Sequence, residues 1–250
     1  MLEKSQIIDI LNDLEMEEEI EILYACEAGS RIWGFAGEES DYDVRFIYKK
    51  ANARDYLSLK DDRGVIELAG DGIDIVGWDI KKALKMHFKS NPQLREWLIS
   101  PEVYIDNGVE GIFDDLGGFD TNILKNHYLN VALKHWKRYS GLEFGNVKIK
   151  KYLYVIRSIL SWNLLNSRID PPLSIQDLLD NPHCEVSSDI NEAIFNLIEY
   201  IQYGSKFSEQ TIFKLNNFIL NSLNSMNKVK SESVKDIDMY DERFRLLMYR

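Results

Sequence analysis

Three aspartates carry the densest chemical signal in the chain. Asp41 and Asp43 are separated by one residue, and Asp74 lies between Ile73 and Ile75. Side chains alternate between the faces of a strand, so Asp41 and Asp43 point one way while Tyr42 and Val44 point the other. Two carboxylates side by side repel. At ~4 Å and an effective dielectric of about 20, the pair costs on the order of 4 kcal/mol unless a cation joins them. Asp74 is equally expensive unpaired in its apolar run, and if that run lies beside the first strand its carboxylate joins the other two. Oxygen donors of this kind suit Mg²⁺, or Mn²⁺ in its place. Two such ions held by carboxylates support phosphoryl or nucleotidyl transfer. One lowers the pKa of an attacking hydroxyl, and the other neutralises a triphosphate and its departing pyrophosphate.

That chemistry also needs a place for phosphates. Gly29-Ser30 follows an apolar run and opens a short helical segment. Glycine permits close backbone approach there, while the helix start and the Ser30 hydroxyl supply donors. Arg31 is a second candidate anion contact, and Gly34 and Gly37 let the chain turn back toward Asp41. Arg45 shares the Asp41/Asp43 face, so it either pairs with those acids or reaches a phosphate. Asp79 is read as a helix N-cap rather than a fourth site acid. Asp236-Ile237-Asp238 repeats the Asp-x-Asp spacing, but no Gly-Ser precedes it, and it reads as a polar surface stretch.

The runs Gly29-Ser30-Arg31-Ile32-Trp33-Gly34-Phe35 and Ser40-Asp41-Tyr42-Asp43-Val44-Arg45-Phe46-Ile47-Tyr48 resemble the signature of the DNA polymerase β-type nucleotidyltransferase superfamily. Asp74 in Ile-Asp-Ile-Val matches its third carboxylate. Three further stretches resemble the RNA-repair-associated, RlaP-like branch: Gly77-Trp78-Asp79-Ile80-Lys81-Lys82-Ala83-Leu84, Ser90-Asn91-Pro92 with Glu96-Trp97-Leu98, and Lys150-Lys151-Tyr152-Leu153-Tyr154-Val155-Ile156-Arg157. The resemblance runs from about residue 25 to 172. It implies a mixed sheet flanked by helices, two Mg²⁺ ions, a nucleoside triphosphate substrate, and an RNA end or tRNA as acceptor. A protein or small-molecule acceptor, and a non-catalytic nucleotide-binding module, are the competing readings.

The elements that must position these groups are an N-terminal α/β half and a C-terminal helical half. Apolar spacing predicts a helix over 2–14, strands over 20–26 and 41–48, and a hairpin of 65–69 with 73–76. A helix over 80–88 and a short one ending at Leu98 follow. Beyond about 120 the strand patterns disappear, and helices are expected over 122–139, 146–167, 189–203 and 208–225, then a polar linker over 227–233. The expected domains are 1–117, catalytic, and 118–250, helical. At 100° per residue, Lys150, Tyr154 and Arg157 share one helix face. That stripe suits a cleft wall gripping phosphate and stacking a base; a solvated charged face is the alternative.

Bulk composition sets the outer limits. The 250 residues carry a net charge of −11, which argues against a generic nucleic-acid coat protein. Yet residues 121–160 hold eight Lys/Arg against one acid, a local basic segment suited to a specific anionic ligand. Cys26 and Cys184 show no metal or redox spacing and read as buried thiols in a reducing compartment. The N-terminus is too acidic for a targeting peptide, and no apolar run is long enough for a bilayer, so a soluble cytoplasmic protein is expected.

Overall fold

The computed structural model describes residues 2–59, 64–139, 149–231 and 235–249. Helix α1 (Lys4–Glu17) places Ile7, Leu11 and Leu14 at helical spacing and buries all three. Strand β1 (Ile20–Ala28), the single-turn helix α2 (Gly29–Ile32) and strand β2 (Tyr42–Lys50) follow. Strands β3 (Val65–Gly70) and β4 (Ile73–Asp79) form a hairpin. Its turn residues, Asp71 and Gly72, both adopt positive φ, which matches the twist of paired strands. Helix α3 (Ile80–Phe88), helix α4 (Pro92–Leu98), strand β5 (Val103–Asp106) and helix α5 (Glu110–Phe113) come next.

The five strands form one mixed sheet in the order β3-β4-β2-β1-β5. β2 and β4 run parallel, and the other neighbours run antiparallel. Alternation along β2 divides the core between two faces. Val44, Phe46 and Tyr48 pack with Ile7, Leu11 and Leu14 of α1, whereas Ile47 packs with Ile80 and Leu84 of α3 and Leu94 and Trp97 of α4. A mixed sheet with helices on both faces is the α/β architecture that the sequence predicts.

The helical segments are α6 (Thr121–Tyr139), α7 (Ile149–Asn166), α8 (Ile175–Asp180), α9 (Ser188–Tyr203) and α10 (Glu209–Ser225), followed by α11 (Ile237–Met248). Thirteen residues of α7 are buried, so it is the central helix of its unit. The first residues of the expected 146–167 helix, and the end of the expected 227–233 linker, lie outside the described residues. Helices α5, α8 and α11 and strand β5 were not foreseen. β5 is four residues long, too short for alternation to declare itself. The second Asp-x-Asp is exposed, as expected of a polar surface stretch, and it also starts a helix: the Asp236 side chain accepts the Asp238 N–H as the α11 N-cap.

Two compact units emerge, and no single cut separates them. One comprises Met1–Ile32, Asp41–Phe119 and Ser233–Arg250; the other comprises Trp33–Ser40 and Asp120–Glu232. Helix α11 belongs with the sheet because its Tyr240 and Leu247 enter the core of Trp78, Ile80 and Leu84. The Trp33–Ser40 segment belongs with the helices because Phe35 is fully buried, with its ring 5.8 Å from that of Tyr154. Cys26 and Cys184 are free and buried. Among the described residues no helix is long and apolar enough to cross a membrane.

Candidate active site

Register decides which acids meet. Asp43 of β2 pairs directly with Asp74 of the parallel strand β4, so both side chains leave the same face. The Arg45 guanidinium lies between them. Its Nη2 donates to Asp43 Oδ1 at 2.9 Å and to Asp74 Oδ2 at 2.7 Å, and Nη1 donates to the Asp74 carbonyl at 2.7 Å. Of its two expected roles, Arg45 takes the pairing one. Burial raises the Asp43 carboxyl above the ordinary aspartate range, and the charges of Asp74 and Asp41 add to the rise, while Arg45 opposes it.

Asp41 lies near enough for its charge to act on Asp43. It lies one residue before β2, is exposed, and accepts the Arg31 Nε–H through its carbonyl at 3.2 Å. Among the described residues no three His, Cys, Asp or Glu side chains form a closed metal cluster. Arg45 already relieves the repulsion between Asp43 and Asp74. The donor chemistry nonetheless fits a hard cation. Asp43 Oδ2 and Asp74 Oδ1 accept no hydrogen bond among the described residues, and both carboxylates remain partly exposed.

Gly29 has a structural reason to lack a side chain. Its φ is +66°, and a Cβ there would lie 2.0 Å from Asp43 Oδ2. The turn residue that the sequence assigns to phosphate approach also makes room for a site carboxylate. Ser30 is buried beside it, and the Arg31 guanidinium stacks 3.7 Å from the Tyr42 ring centroid. Asp79 is the α3 N-cap, as expected: Oδ1 accepts the Lys81 N–H and Oδ2 accepts the Tyr56 hydroxyl, both at 2.7 Å.

Glu27 escaped the sequence reading. It is 2% exposed, its Oε1 accepts the Asp43 N–H at 2.9 Å, and its Oε2 accepts the Tyr104 hydroxyl. Burial pushes this carboxyl up, and those two hydrogen bonds pull the other way. The available signal was a single charge inside the apolar run Leu23-Tyr24-Ala25-Cys26-Glu27-Ala28, two residues before Gly29.

In the helical unit, the Lys150–Tyr154–Arg157 stripe faces the Trp33–Ser40 segment. Arg157 is buried, stacks its guanidinium 4.5 Å from the Trp33 ring and donates Nε–H to the Leu173 carbonyl at 2.8 Å. Tyr154 meets Trp33 edge-on at 5.4 Å. Lys150 remains exposed, with Nζ donating to Ser40 Oγ at 3.1 Å. The same segment accepts the Ile175 N–H at the Trp33 carbonyl, 3.0 Å away. The stripe is therefore neither a solvated face nor an open wall, since two of its members pack on the connector between Gly29-Ser30 and Asp41.

With this geometry in hand, a family model described as the RNA repair pathway DNA polymerase beta family (RlaP) matches residues 4–248. The chain is also 36% identical over 255 aligned positions to the uncharacterized protein YcgL of Bacillus subtilis (strain 168), covering 98% of this chain and 95% of that protein. The matched span takes in the second unit entirely and the first except residues 1–3 and 249–250.

Proposed function

Because the chain belongs to the RNA repair pathway DNA polymerase beta family, we propose that it is a divalent-cation-dependent nucleotidyltransferase. It moves a nucleoside monophosphate from a nucleoside triphosphate to an acceptor hydroxyl on an RNA end or tRNA, and pyrophosphate leaves. The observation that carries this reading is the in-register Asp43/Asp74 pair, with one oxygen of each carboxylate bound by Arg45 and the other without a hydrogen-bonded partner among the described residues. Asp41, Asp43 and Asp74 are the proposed ligands of Mg²⁺ or Mn²⁺, two ions in all. Such ions, when bound, activate the acceptor hydroxyl and neutralise the triphosphate.

The chain's own groups set the stage for this transfer. Arg45 keeps the Asp43 and Asp74 carboxylates at a fixed spacing. Gly29 leaves the Asp43 oxygen uncovered, and Ser30 and Arg31 are the proposed phosphate contacts. Lys150, Tyr154 and Arg157 are further proposed nucleotide-binding residues, and Tyr154 and Arg157 also pack on Trp33.

The test is incubation of the protein with each α-labelled triphosphate and Mg²⁺, with RNA, tRNA and a protein mixture as separate acceptors. Label is expected on RNA or tRNA and absent in EDTA. Label on protein alone would overturn the acceptor, and undiminished transfer in EDTA would overturn the cation dependence.

A further inference from the structure

We infer that Glu27 is a positioning residue: working from the face of the sheet opposite the Asp43 side chain, it fixes the Asp43 backbone and so the carboxylate oxygens offered to the cation. This inference rests on the proposed cation site. Glu27 pairs across β1–β2 with Val44, which is fully buried against α1. Cross-strand partners share a face, so Glu27 lies on the α1 side while the Asp43 carboxylate leaves the other side. The two residues meet through the Asp43 N–H, which Glu27 Oε1 accepts at 2.9 Å.

The location explains why a side chain does this work. Ala28 and Asp43 form the last rung of the β1–β2 ladder, and β1 turns away at Gly29 with φ +66°. At this end of the ladder a carboxylate oxygen serves as an acceptor for the Asp43 N–H. Glu27 is itself anchored. Its N–H donates to the Glu102 carbonyl at 2.9 Å, its carbonyl accepts the Ser100 hydroxyl at 2.6 Å, and Tyr104 donates to Oε2. Burying a carboxylate is costly unless donors surround it, and here two donors, the Asp43 N–H and the Tyr104 hydroxyl, do so. Release of the Asp43 amide would let its carboxylate drift from Arg45 on one side and Gly29 on the other. Positional tolerance at such sites is a fraction of an ångström.

The experiment combines Mn²⁺ binding, read by the electron paramagnetic resonance of free Mn²⁺, with residue-resolved amide exchange on the whole protein. Glu27→Gln keeps an acceptor oxygen, so Mn²⁺ affinity should stay within about threefold of wild type and the Asp43 amide should stay protected. Glu27→Met keeps the length without the acceptor. Asp43 should then exchange at least about tenfold faster and Mn²⁺ affinity should fall about tenfold or more, while Phe46 and Ile47 keep their protection. Unchanged Mn²⁺ affinity in Glu27→Met would overturn the inference, and so would equal losses in Glu27→Gln and Glu27→Met, because charge rather than position would then matter. A wild type that binds no Mn²⁺ would instead overturn the cation reading, and the Asp43 exchange rate would decide Glu27 by itself. Should Glu27→Met fail to fold, Tyr104→Phe loosens one restraint on Glu27. Faster Asp43 exchange in that variant supports the inference, and unchanged exchange overturns it.

Discussion

Arg45 resolves an electrostatic conflict that Asp43 and Asp74 create by sharing one rung of a parallel ladder. Its guanidinium takes one oxygen of each acid, and the other oxygens accept no hydrogen bond among the described residues. Gly29 guards the same arrangement sterically, which makes it the most sensitive single position outside the acids. Gly29→Ala should cost about 1–2 kcal/mol for the positive φ alone. The added methyl would also push directly on Asp43 Oδ2, so any cation-induced rise in melting temperature should disappear. A variant with wild-type stability and a wild-type cation response would show that the Asp43 carboxylate does not depend on this glycine. The face shared by Asp43 and Arg45 was legible from strand alternation, and the structure pairs the two. Two things were not. The partner of Asp43 depends on strand register, which no local spacing reveals, and Glu27 acts through a backbone N–H, which side-chain patterns do not record.

Among the elements, α7 and α11 make the clearest demands. Arg157 and Lys150 lie on one face of α7 but do different work, and truncation should separate them. Arg157→Ala removes a buried stack on Trp33 and strands the Leu173 carbonyl, so unfolding experiments should show a loss of about 2–3 kcal/mol. Lys150→Ala removes an exposed ammonium and should change stability by no more than about 0.5 kcal/mol. It should still weaken triphosphate binding by roughly tenfold or more in calorimetry, as expected for a lost charge-assisted contact. Equal stability losses would place both residues in the packing alone.

Helix α11 is held to α3 through His87 and Tyr240. The Tyr240 hydroxyl lies 2.7 Å from His87 Nδ1 and 3.2 Å from the Leu116 carbonyl, and a neutral imidazole can satisfy the first contact as donor or as acceptor. Burial, aided by the Lys235 charge, pushes His87 down to about 4 from its ordinary 6.5. The unfolded chain therefore binds a proton in this interval that the folded chain refuses. The stabilisation is present above about 6.5 and is lost as pH falls toward about 4. Proton NMR should find one histidine titrating near the lower value, and His87→Asn should flatten the stability profile across the interval. A histidine set titrating uniformly near 6.5 would contradict the buried, neutral pair. The long periodic helices and the sheet strands were legible from apolar spacing within a few residues. Helix α11 was not, because its cap looked like a polar stretch and its apolar face finds its partners in a core formed more than a hundred residues earlier.

For the whole molecule, an acidic chain of net charge −11 carries one basic segment, and the family match spans both compact units. That balance disfavours coating long RNA and favours a specific polyphosphate site with few contacts. The central claim is that Asp43 and Asp74 build a triphosphate site that works only with a divalent cation. The most direct measurement is the melting temperature of wild type and Asp74→Asn with each of the four nucleoside triphosphates, in Mg²⁺ and in EDTA. In wild type, Mg²⁺ and one triphosphate together should raise it beyond the sum of either alone, corresponding to about 2.7 kcal/mol at a hundredfold excess over Kd. Asp74→Asn should lose that joint increment while keeping its own fold in EDTA. An equal shift in EDTA, an equal shift from a nucleoside without phosphates, or an undiminished increment in Asp74→Asn would contradict the claim.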